Sequence, residues 1–264
     1  MKYTYEQLAQ MIDHSLLHPT LTDQELDDGC RLAAQYQAAS VCVKPYTVKR
    51  AAELLKGSGV RVGAVIGFPH GNSKTESKRY ETQFACQDGA VEIDMVINIG
   101  KALSGDWDYV ERDIQAVCDE AHQRGAKVKV ILETDYLAKG GASLSGDELK
   151  RKLCQLCERA GADWVKTSTG YGFVKQPDGN YNYRGATEHD LSLMRASVSA
   201  KVQVKAAGGV RDLDGLIKVR DLGATRCGAT ATAAMLDEYR RREAAEKAGQ
   251  PAEARTGIVG AGGY

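Results

Sequence analysis

Residues 107–134, WDYVERDIQAVCDEAHQRGAKVKVILET, hold one complete helix-to-strand repeat of this chain. Its first half places apolar residues at steps of three and four positions, which predicts an amphipathic helix packed on one face: Trp107, Val110, Ile114, Val117 and Ala121. Gly125 follows this pattern, and glycine tolerates the left-handed conformation at a helix C-terminus. A β-branched run comes directly after it. The stretch therefore predicts a helix followed by a buried strand.

The same alternation recurs along the whole chain. Short β-branched runs are each followed by a stretch of helical period: Met11 to Leu17, Ser40 to Pro45, Arg61 to Pro69, Val91 to Asn98, Lys127 to Thr134, Asp163 to Thr169, Lys201 to Gly208 and Ala224 to Thr230. Eight such units in 264 residues predict an α/β fold of the closed (β/α)8 TIM barrel type, which needs about 250 residues. No GxGxxG follows the first strand and no P-loop occurs, which disfavours the common nucleotide-binding folds.

The barrel is predicted to be one domain over residues 1–235. Residues 236–264 are rich first in Ala, Glu and Arg and then in glycine. They predict a C-terminal surface helix and a flexible tail that ends in Tyr264. Two helix starts carry the S-x-x-E pattern of a capping box, at Ser73 and at Ser145.

Charge and cysteine content restrict the partners. The chain has 35 Lys plus Arg and 35 Asp plus Glu residues, so it lacks the basic surplus of a nucleic-acid or membrane-surface binder and a small molecule is the expected partner. No apolar signal core or bilayer span occurs, which predicts a cytoplasmic protein. The seven cysteines are scattered, as in reduced proteins. Cys154 and Cys157 form a CxxC inside a helical pattern and are interpreted as helix packing.

Charged residues occur on strands that the barrel should bury. Lys166 and Lys205 lie in the C-terminal halves of two predicted strands, and Asp94 lies on a third. Parallel strands are covered on both faces, so such charges are paired, hydrated or functional. Catalytic residues of TIM barrels lie at the C-terminal ends of strands. Lys129 and Glu133 share a face of a fourth strand, and an interior ion pair between them is the structural interpretation.

Two inward lysines favour covalent chemistry. A lysine is almost entirely protonated at neutral pH, so a nucleophilic amine needs a lowered pKa. A second ammonium group ~5 Å away supplies on the order of 3 kcal/mol, and partial burial supplies the rest. We therefore expect either Lys166 or Lys205 to form an imine with a carbonyl substrate.

Glycines downstream indicate a phosphate site. Gly208 and Gly209 follow the seventh predicted strand, and Gly228 to Thr230 end the eighth. Barrels commonly bind phosphate at these two loops through backbone amides.

The residues resemble the deoxyribose-phosphate aldolases, a family of class I aldolases. Seven segments in family order, from about residue 13 to residue 230, carry the resemblance: Asp13 to Leu17, Ser40 to Val43, Glu92 to Val96, Lys129 to Thr134, Val165 to Gly170, Val204 to Arg211 and Gly223 to Arg226. The family reversibly cleaves 2-deoxy-D-ribose 5-phosphate to D-glyceraldehyde 3-phosphate and acetaldehyde. The resemblance implies a cytoplasmic enzyme of carbohydrate degradation that uses no cofactor and no metal.

The resemblance also implies roles for individual residues. Lys166 would be the Schiff-base nucleophile, Lys205 would lower its pKa, Asp94 would relay protons, and Tyr264 would fold into the site. The implied substrate-binding residues are Asp13, Cys42, Lys129, Thr169, Gly170, Gly208, Gly209, Gly228 and Thr230.

Two segments depart from the family pattern. Residues 171–184 replace a short glycine-rich loop and form either a lid or a surface hairpin, whereas Gly228 to Ala231 replace a more serine-rich segment and weaken the expected phosphate preference. Two alternatives stay open: a Schiff-base aldolase with another aldehyde acceptor, and a non-catalytic sugar-phosphate-binding barrel. A homo-oligomer is also compatible with the sequence.

Overall fold

Eight parallel strands form a closed barrel in the computed structural model, which describes residues 1–249. A short antiparallel hairpin is inserted after the sixth barrel strand. The strands, in chain order, are β1 (Ile12–Leu16), β2 (Ser40–Val43), β3 (Arg61–Ile66), β4 (Glu92–Val96), β5 (Lys127–Ile131), β6 (Trp164–Lys166), the hairpin strands β7 (Val174–Lys175) and β8 (Tyr181–Asn182), β9 (Gln203–Ala207) and β10 (Ala224–Ala229). The barrel closes by pairing β10 with β1. The predicted α/β barrel is confirmed.

Helices follow the strands and cover the barrel. They are α1 (Tyr5–Ala9), α2 (Asp23–Gln35), α3 (Val48–Leu54), α4 (Thr75–Gln87), α5 (Ile99–Ser104), α6 (Trp107–His122), α7 (Thr134–Leu137), α8 (Gly146–Arg159), α9 (Glu188–Ala196), α10 (Leu213–Asp221) and α11 (Thr232–Lys247). In α6 the predicted apolar face is buried, from Val110 to Ala121. Cys154 and Cys157 are buried on α8, which confirms their interpretation as packing residues. No helix in residues 1–249 is both long and apolar enough to cross a membrane.

One of the two predicted capping boxes is confirmed and the other is wrong. The Ser145 side chain accepts from the Glu148 amide, and the Glu148 carboxylate accepts from the Ser145 amide. Helix α4 instead begins at Thr75, with Lys74 at its N-cap position. The Thr75 hydroxyl donates to Asp113 on α6 at 2.8 Å. This contact between helices, rather than a local cap at Ser73, fixes where α4 starts.

The C-terminal helix begins inside the range assigned to the barrel. Helix α11 starts at Thr232 and buries Met235, Leu236 and Tyr239. The Tyr239 hydroxyl donates to the Tyr3 carbonyl at 3.1 Å, so the helix is fastened to the N-terminal segment. The glycine-rich tail with Tyr264 lies outside the described residues, and the domain division stays a prediction.

Strand register brings the charged residues of the barrel interior together. Asp94 on β4 is aligned with Lys129 on β5. Lys166 on β6 is aligned with Lys205 on β9, which is aligned with Arg226 on β10. Neighbouring strands of a parallel sheet lie about 4.8 Å apart. Residues distant in the chain therefore become neighbours inside the barrel.

Candidate active site

Seven charged side chains from six strands fill the interior of the barrel. Four are cations, Lys129, Lys166, Lys205 and Arg226, and three are carboxylates, Asp13, Glu92 and Asp94. All seven are buried. With every group ionised, this network would carry one surplus positive charge. Burial disfavours an uncompensated charge, so the network favours the loss of one proton from a cation.

Asp94 lies at the centre of the network. Its Oδ2 accepts from Lys166 Nζ at 2.7 Å and from Lys205 Nζ at 2.6 Å, and its Oδ1 accepts from Lys129 Nζ at 3.0 Å. Burial alone would raise the pKa of the Asp94 carboxyl, but the three ammonium groups outweigh burial and hold that pKa well below its usual range. Asp94 is therefore a carboxylate in contact with both predicted catalytic lysines.

Arg226 bonds to the other two carboxylates of the network. Its guanidinium donates to Asp13 Oδ1 through Nε at 2.7 Å, and to Glu92 Oε1 through Nη1 at 2.8 Å. It also donates to the hydroxyl of Ser40 at 3.0 Å. Lys129 Nζ forms a short contact with Glu92 and an ion pair with Asp13 at 3.2 Å. These bonds fix the carboxylates that the lysines share.

The lysines differ in how many carboxylates they meet. Lys129 pairs with three and Lys205 with two, Asp94 and Asp13 at 2.5 Å. Among the described carboxylates, Lys166 pairs with Asp94 alone. Burial lowers the pKa of Lys166, Asp94 opposes this effect, and the charge of Lys205 adds to it, so that the pKa falls below the ordinary value. Burial acts on Lys205 too, but Asp13 and Asp94 outweigh it and raise its pKa. Lys166 is therefore the lysine most ready to lose its proton.

The predicted approach of two ammonium groups is found, but its share in the effect is corrected. Both nitrogens contact one oxygen of Asp94, which places them within about 5 Å of each other, where two charges still interact strongly in a protein. From the sequence, the second ammonium group is expected to make the larger contribution to lowering the lysine pKa. For Lys166, burial is the larger cause, because the side chain is only 3% exposed.

The predicted ion pair between Lys129 and Glu133 is wrong. Glu133 lies beyond the end of β5 with φ 57° and ψ 64°, in the left-handed region that a non-glycine residue seldom adopts. The carboxylate accepts from the Thr169 amide at 3.2 Å and from the Thr169 hydroxyl. Burial raises the pKa of Glu133 to about 7, although the bonds from Thr169 act against it. Glu133 thus contacts the segment after β6 instead of Lys129.

Predicted phosphate-binding residues meet in one small pocket at the barrel mouth. Gly208, Gly209, Gly228 and Thr230 line a cavity of about 80 Å³, together with Tyr183 and Arg211. The adjacent helix α11 has Ala231 at its N-cap position, with no side chain capping its first amides. Uncapped amides at a helix N-terminus attract anions. The pocket has the donors and the size for one compact anionic group.

The remaining predicted residues occupy different places. Asp13 and Lys129 lie within the charged network described above. Cys42 is buried beside Leu17 and Val65, and burial raises the pKa of its thiol to about 11. Thr169 is bonded to Glu133, and Gly170, with φ 87°, begins the turn after it. Their roles in substrate binding stay predictions, as does that of Tyr264 outside the described residues.

A second, apolar cavity lies beside the C-terminal ends of β1 and β3. It has a volume of about 210 Å³, and Leu17, Val65, Phe68 and Tyr171 form its apolar walls. The rings of Phe68 and Tyr171 meet edge to face with centroids 5.5 Å apart. Tyr171 belongs to the segment that is expected from the sequence to form a lid or a surface hairpin. The structure shows a hairpin there, formed by β7 and β8.

Four functional candidates were not selected from the sequence: Glu92, Arg226, Glu133 and Arg211. Glu92 lies two residues from Asp94 and Arg226 two residues from Gly228, so strand alternation places each on an inward face. That alternation was a usable signal for Glu92 and Arg226. Within residues 1–249, no group of three or more His, Cys, Asp and Glu side chains is arranged to hold a metal ion. The expectation of chemistry without metal or cofactor stays a prediction.

Comparison with known proteins agrees with this geometry. The family model described as DeoC/LacD family aldolase matches residues 7–239. A deoxyribose-phosphate aldolase of Rhodopirellula baltica is 50% identical over 240 residues, covering 91% of this chain and 92% of the relative. A deoxyribose-phosphate aldolase of Thermococcus gammatolerans is 44% identical over 238 residues, covering 89% of this chain and 98% of the relative.

A solved structure shares the fold as well. The deoxyribose phosphate aldolase of Aeropyrum pernix, described as having a unique tetrameric structure, superposes with a TM-score of 0.76 at 29% identity, over 90% of this chain and 92% of that one. The family match, over residues 7–239, spans the barrel and the positions of all seven charged residues of its interior. This chain belongs to the DeoC/LacD family of aldolases.

Proposed function

We propose that this enzyme reversibly cleaves 2-deoxy-D-ribose 5-phosphate to D-glyceraldehyde 3-phosphate and acetaldehyde through an imine on Lys166. The observation that carries the proposal is the meeting of Lys166 Nζ and Lys205 Nζ on one oxygen of Asp94. It supports a neutral amine beside a retained ammonium group and a carboxylate. The names of the relatives support the choice of substrate.

The first step forms the imine. The lone pair of neutral Lys166 Nζ attacks the aldehyde carbon C1 of the open-chain sugar, and a nitrogen–carbon bond replaces the carbonyl π bond. The carbinolamine oxygen takes up a proton from the Lys205 side and leaves as water. Asp94 holds both nitrogens, so it can accept and return protons between them.

Carbon–carbon cleavage follows. A base removes the proton of the C3 hydroxyl, the C2–C3 bond breaks, and its electron pair moves into a C1–C2 double bond while the iminium nitrogen becomes neutral. C3 leaves as the aldehyde of glyceraldehyde 3-phosphate. Protonation of C2 restores the iminium, and addition of water releases acetaldehyde and regenerates Lys166. The same steps in reverse join the two aldehydes.

The phosphate is proposed to bind in the small pocket lined by Gly208, Gly209, Gly228 and Thr230. Arg211 lines the same pocket and supplies a positive charge. Gly170, Thr169 and Cys42 are proposed to line the path between this pocket and Lys166, and Asp13 and Lys129 to keep the carboxylates in place. Tyr264 is proposed to assist protonation of C2, on the resemblance alone.

Borohydride trapping tests the proposal. Wild-type protein mixed with acetaldehyde and sodium borohydride should gain one two-carbon adduct, located on Lys166 by peptide mass spectrometry. Lys166→Leu should lose both the adduct and acetaldehyde release from 2-deoxyribose 5-phosphate. Lys139→Leu changes an exposed lysine and is the matched control. Wild-type protein that forms no adduct at Lys166 would refute the mechanism.

A panel of acceptor aldehydes tests the substrate. The proposal expects glyceraldehyde 3-phosphate to be preferred over unphosphorylated glyceraldehyde in kcat/KM. Equal values for the two would support the alternative of a Schiff-base aldolase with another acceptor. Binding of the sugar phosphate without cleavage would support the non-catalytic barrel.

Self-association is proposed as well, because a solved relative is described as tetrameric. Size-exclusion chromatography with light scattering should give a mass at least twice the 28.5 kDa of one chain. A mass of one chain at micromolar concentration would refute it.

A further inference from the structure

The segment from Tyr171 to Arg184 reaches both cavities at the barrel mouth. Its first residue, Tyr171, lines the apolar cavity of about 210 Å³. Near its other end, Tyr183 lines the cavity of about 80 Å³ with Gly208, Gly228 and Thr230. The middle of the segment is the hairpin of β7 and β8, where Tyr181 is 65% exposed. The two ends of the segment therefore line the cavities at the barrel mouth, whereas its tip does not.

Two carboxylates from the loop after β5 fasten both ends. Glu133 accepts from the Thr169 amide, and the Thr169 hydroxyl in turn accepts from the Tyr171 amide at 2.9 Å. Asp135 accepts from the amides of Arg184 at 2.7 Å and Gly185 at 2.9 Å. Bonds from backbone amides to a carboxylate are strengthened by its charge. Hydrogen bonds therefore hold both ends of the segment in place.

A third fastening joins the segment to the phosphate-binding loop. The Ala186 amide donates to the Gly208 carbonyl at 3.0 Å. The Tyr183 ring lies so close that a Cβ at Gly208 would meet its Cε2 at 3.3 Å. Only 3% of Tyr183 is exposed, and Phe173 packs on it edge to face at 5.4 Å. The ring has no room to move toward or away from Gly208 without disturbing these contacts.

The volume of the smaller cavity indicates what it can hold. At about 80 Å³ it is well below the roughly 300 to 1,000 Å³ typical of pockets for whole small molecules. A single compact group, such as a phosphate, suits it, whereas the rest of a sugar does not. The ring of Tyr183 is one of the walls of this cavity.

We propose that Tyr183 is a specificity-determining residue. The hydrogen bonds of Asp135 to the Arg184 and Gly185 amides hold its ring in place, and the ring shapes the smaller cavity for the phosphate end of the substrate. The proposal rests on the proposed aldolase function and deepens it. It treats the Tyr171–Arg184 segment as a fixed wall. If the segment were a lid, the hydrogen bonds at both of its ends would have to break in each catalytic cycle.

The test compares selectivity for 2-deoxyribose 5-phosphate over unphosphorylated 2-deoxyribose, measured as the ratio of the two kcat/KM values. Tyr183→Ala should lower this ratio about tenfold or more, mainly by raising KM for the phosphorylated sugar. Tyr183→Phe keeps the ring and should keep the ratio. Tyr181→Ala removes a ring of the same kind from the exposed part of the same hairpin and should leave the ratio unchanged.

Acetaldehyde trapping at Lys166 separates this proposal from the proposed function. Acetaldehyde has no phosphate, so Tyr183→Ala should still form the acetaldehyde adduct at Lys166. A folded Tyr183→Ala protein with a ratio within twofold of wild type would overturn the inference while leaving the function intact. Wild-type protein that neither cleaves the sugar nor forms the adduct would overturn both.

A second variant keeps the inference testable when Tyr183→Ala folds poorly. Asp135→Asn weakens the hydrogen bonds to the Arg184 and Gly185 amides, which follow Tyr183 in the chain, and does not change the tyrosine itself. The ratio should fall in the same direction by about threefold or more, with a smaller change in kcat. An unchanged ratio in folded Asp135→Asn would contradict the proposed fastening.

Discussion

At the scale of single residues, Lys166 differs from its neighbours by its partners rather than by its chemistry. All three interior lysines are buried, but Lys166 shares its one carboxylate oxygen with Lys205. Lys205 and Lys129 each have further carboxylates that keep them protonated. This unequal sharing supports the covalent role proposed for Lys166.

Removal of the positive charge at Lys205 should slow imine formation. The amine reacts only when it is deprotonated, and the Lys205 charge helps to lower the pKa of Lys166. In Lys205→Met that pKa rises, so borohydride trapping of acetaldehyde at pH 7 should slow by about tenfold or more and recover at alkaline pH. Lys205→Arg keeps the charge and should keep the trapping rate closer to wild type. A pH profile of trapping identical in Lys205→Met and wild type would contradict the electrostatic role.

Glu133 should make stability depend on pH in the direction opposite to an ordinary paired carboxylate. Burial raises its pKa from 4.5 to about 7 in the folded state, so the folded protein holds the proton more tightly than the unfolded chain. Its contribution is complete below pH 4.5 and is lost as the pH rises toward 7. Glu133→Gln cannot ionise, so it does not lose this contribution. As the pH rises from 4.5 to 7, its free energy of unfolding should increase by on the order of 3 kcal/mol relative to that of the wild type. Urea denaturation at pH 5 and pH 8 measures the difference, and an equal gap at both pH values would refute it.

At the scale of elements, the starts of α4 and α8 show whether a local sequence pattern or a tertiary contact decides where a helix begins. The two S-x-x-E patterns are equivalent in sequence, but only Ser145 caps its helix. At α4, the buried pair of Lys78 and Asp113 at 2.5 Å and the bond from Thr75 to Asp113 fix the first turn against α6. A contact across two helices therefore overrides the local preference.

The two serines form a matched pair for measurement. Ser145→Ala should lower the free energy of unfolding by about 1 kcal/mol, because it removes a formed N-cap. Ser73→Ala should change it by less than about 0.5 kcal/mol, because no cap is lost there. Chemical denaturation of the two variants and the wild type provides the comparison. Equal losses would show that Ser73 caps α4 in solution.

At the scale of the whole molecule, the charged network joins strands that are far apart in the chain. Arg226 on β10 bonds to Asp13 on β1 and to Glu92 on β4, across the interior of the barrel. Its guanidinium also lies 5.7 Å from the centroid of the Trp164 ring on β6. With its bond to Ser40 on β2, this side chain of β10 contacts four other barrel strands.

Loss of Arg226 should destabilise the barrel as a unit. Arg226→Met removes the guanidinium that pairs with buried Asp13 and Glu92, and breaking a buried ion pair by removing one partner costs about 3 to 5 kcal/mol. We expect one cooperative transition with a lower midpoint in thermal unfolding. Arg31→Met removes an exposed arginine and should leave the midpoint within about 1 °C. An unchanged midpoint in Arg226→Met would contradict the role assigned to the network.

The sequence by itself determined the order of strands and helices, the closed barrel, and the inward position of Lys166, Lys205 and Asp94. These features follow from periodicity and from the two-residue alternation of strands, which are local properties of the chain. Only the tertiary structure decided which cation meets which carboxylate, how Glu133 turns to Thr169, and where Tyr183 stands at the mouth. Those contacts join residues that are 35 to 213 positions apart, in pairs such as Asp94 with Lys129 and Asp13 with Arg226. Their partners are fixed by barrel closure and strand register, which no local pattern specifies.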